Sequence, residues 1–331
     1  MIAIGDVLAV LAAVVLLSYL IDALRRTPGA PSRLAWMPSA PIGMIDVDGI
    51  RLRYVAVGDG PPLVLLHTLR TQLDMFQKII PVLAARFHVI ALDLPGHGWS
   101  DMPGARYDAD FFVDRIAKAL DRLQVRDAVV IGESIGGSIA LLLAARHHPA
   151  VRGVVAINPY DYDAGRGIRR SSWLANMVFG LLNVPILGPT INRLRSLPVV
   201  VGILRGGVRR KGAIPAALAR EIHLVANRPG QAGAIAALVR HWNTWEAART
   251  EYAAIERPVL LLYGDHDWSR APERSADARD IPGAELHVIA NAGHFLALDA
   301  PDELLAEIVP WLGRLGASGG RGQVPTLVRS A

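Results

Sequence analysis

The chain has 331 residues, with 35 Lys and Arg against 30 Asp and Glu, a net charge of +5. With 52% of residues hydrophobic and 20% charged, it is too apolar and too weakly charged to be disordered, and with a single long apolar stretch it is not a polytopic membrane protein. It has no cysteine, which excludes disulfide scaffolds, thiolate metal sites and cysteine nucleophiles.

The first predicted element is an apolar helix over residues 2–24, interrupted by Asp6, Ser18 and Asp22. The stretch from Val7 to Ile21 is short of the roughly 20 residues a bilayer span takes, so a span needs both ends of the helix. No Lys or Arg precedes it, whereas a secretory signal starts basic. Arg25 and Arg26 follow it. The expectation is an uncleaved anchor over residues 1–26, with the rest of the chain on the cytoplasmic side. The alternatives are a helix packed on the protein's own surface and a cleaved signal, which would make the protein secreted or periplasmic. Residues 27–41 contain four prolines and read as a linker.

From Met44 to Gly58 the pattern predicts two strands around a turn at Asp48-Gly49. Apolar runs follow at residues 62–67, 88–93, 128–132, 153–158, 258–264 and 285–290. These look like strands buried on both faces, as a parallel sheet requires. Amphipathic stretches from Phe111 to Leu123 and Ser138 to Arg146 lie between them. The alternation predicts an open, mostly parallel α/β sheet flanked by helices. The gap between Asn158 and Pro258 is too long for a loop, so residues 160–250 are expected to form a helical insertion. The body then comprises residues 42–159 and 251–315, and residues 316–331 a flexible tail.

The segment AVVIGESIGGSIA, Ala128 to Ala140, runs from a strand through Gly132-Glu133-Ser134-Ile135-Gly136 into a helical pattern. That is G-x-S-x-G in a strand–turn–helix setting, which presents a serine hydroxyl at a helix start. Alone it is a weak signal that a small-residue turn also satisfies. A serine nucleophile needs a base, itself oriented by a carboxylate. Downstream, LLLYGDHDW ends a strand at Gly264 with Asp265 and Asp267 beyond it, and ELHVIANAGHF ends another ahead of His294.

The order Ser, Asp, His, together with VIALDLPGHGWSD at residues 89–101, resembles the α/β-hydrolase family over about residues 44–314. The resemblance implies an eight-stranded sheet and a helical cap formed by the insertion. It implies Ser134 as nucleophile, His294 as base and Asp267 as the acid, because the family's acid follows the glycine by three residues. Asp265 is the less favoured neighbour, and Asp161 or Asp163 a substitute. The oxyanion hole would take the backbone N–H of Ile135 and, carried over by position, of Leu69. Thr68 stands where relatives usually have glycine, which leaves the conformation of this loop open. His67 is expected to hold the loop by hydrogen bonds. Arg70 either recognises an acidic substrate group or points to solvent. His67, Arg70 and Glu133 are the candidates for the substrate pocket.

His97, His147, His148, His223 and His241 read as structural. No His/Asp/Glu cluster has metal-ligand spacing, and there is neither a dinucleotide fingerprint nor a phosphate loop, so neither metal nor cofactor is expected. Residues 164–212 hold nine Lys and Arg and no Asp or Glu, alongside apolar runs. Such a segment could touch an anionic bilayer, bind an amphiphile with an acidic head, or simply pack on the catalytic domain. A nucleic-acid partner is not expected, since no basic-aromatic platform appears. The expected function is a carboxylesterase or lipase acting on lipophilic esters through an acyl-enzyme. A carbon–carbon bond hydrolase, a thioesterase or a cofactor-free perhydrolase would use the same triad. The non-enzyme readings are a membrane-tethered binding protein and an accessory subunit of a membrane complex. The family's dehalogenases and epoxide hydrolases carry Asp where this chain has Ser134. Acyl length and oligomeric state are not readable.

Overall fold

The computed structural model describes residues 3–25 and 29–318. Strands β1 (Ile42–Val47) and β2 (Ile50–Val57) form a hairpin. Asp48 and Gly49 turn it at φ 53° and 80°, the positive values that a tight two-residue hairpin needs. The other strands are β3 (Pro62–Leu66), β4 (His88–Leu92), β5 (Ala128–Glu133), β6 (Val151–Ile157), β7 (Val259–Gly264) and β8 (Glu285–Ile289). They lie in the order β1-β2-β4-β3-β5-β6-β7-β8, and β2 alone runs against the rest. All residues of β5 and β7 are buried, whereas edge strand β8 is largely half-exposed. The α/β-hydrolase sheet expected from the sequence is therefore present.

Helices α1 (Ile4–Leu24), α2 (Ile80–Leu83), α3 (Ala109–Arg122) and α4 (Ile135–Ala145) precede the insertion. The Asp108 carboxylate caps α3 by accepting from the Phe111 amide at 3.0 Å, and Phe112, Val113, Ile116, Ala119 and Leu120 form its buried stripe. Helix α4 is buried on every side, which explains its almost wholly apolar sequence. Between β6 and β7 come α5 (Trp173–Leu181), α6 (Leu187–Arg193), α7 (Leu197–Arg205), α8 (Ala216–Val225), α9 (Gln231–His241) and α10 (Asn243–Ala248). The chain closes with α11 (Ala271–Asp280), α12 (Leu296–Asp299) and α13 (Pro301–Ser318).

Helix α1 has 21 residues, a mean hydropathy of 2.5 and few buried side chains. At 1.5 Å per residue it is about 31 Å long, close to the ~30 Å of a hydrocarbon core. Its last turns dock on α6. The Arg193 guanidinium lies 3.7 Å from the Tyr19 ring centroid and donates to Ser18 Oγ at 3.1 Å. Arg25 donates to the Arg195 carbonyl at 3.0 Å. Arg26 lies outside the described residues.

The expected linker is not free where it is described. Leu34 bridges Met37, Leu34 and Ala40 are buried, and Trp36 Nε1 donates to Asp74 at 2.8 Å. The expected flexible tail is also shorter at its start, because residues 316–318 continue α13; residues 319–331 lie outside the described residues.

β3 pairs with β4 on one side and β5 on the other. The chain thus winds in opposite directions from this point, which opens a crevice beyond the carboxyl ends of β3 and β5.

Candidate active site

Ser134 follows β5 directly and begins α4. Its φ of 60° and ψ of −122° lie outside the regions ordinary residues favour, a strain that packing must impose. Here it does: a Cβ on Gly132 would collide with the Gly136 carbonyl, and one on Gly136 with the Leu66 carbonyl. Only glycine lets the turn close this tightly against β3.

The loops after β7 and β8 complete a chain of hydrogen bonds. Ser134 Oγ lies 2.9 Å from His294 Nε2, and His294 Nδ1 lies 2.5 Å from Asp267 Oδ1. Asp267 Oδ2 accepts from the Ser269 amide at 2.9 Å and from its hydroxyl. Burial works to raise the Asp267 carboxyl, but the facing imidazole and the Ser269 donors outweigh it and hold the group below its ordinary value. An imidazole with its proton on Nδ1 would donate to Asp267 and leave Nε2 free to accept from the Ser134 hydroxyl.

The alternative carboxylates stand elsewhere. Asp265 accepts from the Ala292 amide, Asp161 from the Tyr252 hydroxyl at 2.7 Å, and Asp163 pairs with Arg170 at 3.2 Å. Asn158, at the end of β6, braces both loops. Its Nδ2 donates to the His294 carbonyl at 2.8 Å, and its Oδ1 accepts from the Gly264 amide at 3.0 Å.

Neither the Leu69 nor the Ile135 amide has an acceptor among the described residues. Leu69 lies just beyond β3 and Ile135 just beyond β5, its parallel neighbour, so both amides stand at the carboxyl end of the same strand pair. Thr68 needs no left-handed backbone; that conformation falls on Arg70, at φ 58°. The Thr71 hydroxyl closes the loop by donating to the Thr68 carbonyl at 2.8 Å.

Two of the three pocket candidates lie away from the pocket. His67 is fully buried behind the loop, where Nδ1 lies 2.8 Å from the Thr68 carbonyl and Nε2 accepts from the Leu94 amide at 2.9 Å. Both ring nitrogens are occupied, and burial pushes the imidazole down to about 3. Glu133 points beneath the elbow, where it accepts from the Ala297 amide at the start of α12. Arg70 alone lines the pocket. It is half-buried, 5.7 Å from the Phe179 ring centroid, and faces no carboxylate among the described residues.

Sequence reasoning missed three supports. The Trp268 indole stacks on His294 with ring centroids 3.7 Å apart and planes 12° from parallel. A loop Trp beside an acid carries no pattern that announces this. Arg53, fully buried, bonds Asp93 and Asp74 at 2.6 Å each and so joins the loops after β3 and β4. Burial would depress its guanidinium, but the two carboxylates outweigh that and raise it. His97, read as structural, also lines the pocket.

Ser134 and His294 are sealed from solvent. Ser134 is 1% exposed and His294 0%. A cavity of about 40 Å³ separates Leu69, Trp268 and Phe295 from Val200, Leu204 and Ile222 of the insertion. That is far below the roughly 300 Å³ of a small-molecule site. Among the described residues no group of His, Asp and Glu could hold a metal ion.

This chain belongs to the α/β-hydrolase fold family, whose model matches residues 61–301. It is 33% identical to the magnesium-chelatase 30 kDa subunit of Rhodobacter capsulatus, over 77% of this chain and 87% of that protein. It is 29% identical to the 2-hydroxymuconate semialdehyde hydrolase of Pseudomonas sp. strain CF600, over 76% of this chain and 86% of that one. The crystal structure of Cfl2 from Burkholderia cenocepacia superposes with a TM-score of 0.74 at 22% identity, over 86% of this chain and 99% of that one. The family and the second of these relatives support a hydrolase.

Proposed function

We propose that this protein is a serine hydrolase that cleaves carboxylic esters of lipophilic substrates and is tethered to a membrane by α1. The observation that carries the reading is the unbroken chain Ser134–His294–Asp267 beside two amides without acceptors. Ser134 Oγ attacks the ester carbonyl as His294 Nε2 takes its proton. The oxyanion lies between the Leu69 and Ile135 amides. His294 returns the proton to the departing alcohol, and water, activated by the same imidazole, releases the acid from the acyl-enzyme. Trp268 presents a π face to the imidazolium formed at each step, a favourable cation–π contact. The helical insertion acts as a cap, and its apolar lining favours a hydrocarbon chain. Ser134 stands where the dehalogenases of this fold carry Asp, which speaks against that chemistry.

The test is labelling of the full chain with a fluorophosphonate probe, together with hydrolysis of p-nitrophenyl esters of increasing acyl length. Labelling is expected in the wild type and absent in Ser134→Ala. A folded wild type that stays unlabelled would overturn the reading, and labelling without ester turnover would favour carbon–carbon bond cleavage. The chelatase-subunit relative supports a second reading, an accessory subunit of a membrane complex. Extraction in mild detergent followed by size analysis distinguishes it: a stable heterologous partner supports it, and a lone monomer or homodimer counts against it.

A further inference from the structure

A second cavity of about 180 Å³ lies among α5, α6 and α7. Its walls are mostly apolar, with Leu174, Met177 and Val178 on α5, Ile191 on α6 and Val199 on α7. Arg70, Val200 and Ile203 line both this cavity and the one bounded by Leu69 and Trp268. The two spaces therefore share a wall, and Arg70 stands in it, next to the Leu69 amide.

A second guanidinium, that of Arg195, also lines this groove. Its side chain is 8% exposed. One terminal nitrogen donates to the Asn192 carbonyl at 2.6 Å, and the other is 3.9 Å from Asp22, which Arg25 already holds at 2.8 Å. Arg195 Nε is buried and has no acceptor. Arg70 faces only the Phe179 ring. A buried N–H without an acceptor and a charge without a counter-ion both weaken the folded state. Burial pushes both guanidiniums down to about 10. Arg53, by contrast, sits between two carboxylates at 2.6 Å.

We propose that Arg70 and Arg195 form an anion subsite for an amphiphile, holding its carboxylate or phosphate while its hydrocarbon fills the groove between α5, α6 and α7. This rests on the serine-hydrolase reading and narrows its substrate class to esters that carry an acidic group. The carbonyl would lie at Ser134, on the far side of the wall that Arg70 occupies. Met177 and Leu194, which line the groove, are 37% and 36% exposed. They lie on the part of the insertion where α6 holds the apolar α1, so the groove opens beside the anchor, where an amphiphile would be concentrated.

The experiment is calorimetric titration of the full chain in non-ionic micelles with decanoate, decyl phosphate, decanol and inorganic phosphate. A charge-assisted pair should make decanoate or decyl phosphate bind roughly 10- to 100-fold more tightly than decanol. Arg70→Met and Arg195→Met should each bring that ratio near unity. Arg205→Met, from a different cavity, should preserve it. Equal affinity for decanoate and decanol, or a preference that survives both variants, overturns the subsite. Inorganic phosphate binding as tightly as decyl phosphate overturns the amphiphile. Thermal melts guard against misfolding. Arg70 faces no carboxylate, so Arg70→Met should leave the melting temperature unchanged or raised, and a lowered one marks Arg70 as scaffold and also overturns the proposal. Fluorophosphonate labelling reads the triad separately, so the subsite and the hydrolase can fail independently.

Discussion

Glu133 sits one position before the serine of the elbow, fully buried, with Oε1 on the Ala297 amide and Oε2 without a partner. Burial pushes it up to about 8 from an ordinary 4.5. Between those values the folded protein keeps a proton that the unfolded chain has released, so stability falls as pH rises from about 4.5 to about 8. His67 and His97 act in the opposite direction. Burial pushes both down to about 3 from 6.5, so the unfolded chain binds the extra protons and stability is lost as pH falls through that window. Glu133→Gln keeps the acceptor for Ala297 and removes the titration. It should remove the loss of stability between about pH 6.5 and pH 8 and gain about 5 kcal/mol at pH 9 relative to wild type. Denaturant melts at several pH values check this, and an unchanged slope would count against a neutral Glu133. At this scale the sequence marked as candidates Ser134, Asp267 and His294, which the fold brings into hydrogen-bond contact, because each follows a recognisable strand end in a fixed order. It did not show where Glu133 or His67 would point, since neighbours in sequence on a tight turn face opposite sides of the sheet.

The insertion and the loop carrying His294 are joined by Asp299, at the end of α12. Its buried carboxylate accepts from the Gly293 amide at 2.7 Å and from the Arg209 and Arg210 amides at 2.8 Å each. Trp268 Nε1 adds a bond to the Gly206 carbonyl at 2.9 Å, and the Phe295 amide one to Gly207 at 2.8 Å. An insertion that shifts to widen the 40 Å³ cavity would therefore pull on the loop that carries His294. Asp299→Ala should raise amide hydrogen exchange in residues 206–211 and 291–295 together and lower kcat by tenfold or more. Exchange that rises in only one segment would show that the two move independently. The strands were legible from their apolar runs, and α3 from its stripe. The packing of residues 29–41 was not, because two anchoring side chains, Leu34 and Trp36, are too few to register against four prolines. Tertiary ties such as Asp299 leave no local pattern.

At the scale of the whole molecule, α1 is fixed to the body through Ser18, Tyr19, Asp22 and Arg25. It therefore does not swing on a loose tether. The part of α1 ahead of Ser18, Ile4 to Leu17, is about 21 Å long, less than the ~30 Å of hydrocarbon. In the membrane-tethered reading, the rim of the insertion, with Ile186 69% and Leu187 42% exposed, settles into the interface beside it. An enzyme held at constant height and tilt searches a plane. The quantity that governs its rate is then the mole fraction of substrate among the surface lipids, and bulk molarity drops out. Diluting a fixed amount of substrate ester with inert phospholipid should slow the reaction in proportion, although the concentration per litre is unchanged. Removing residues 1–25 should return the enzyme to ordinary bulk kinetics.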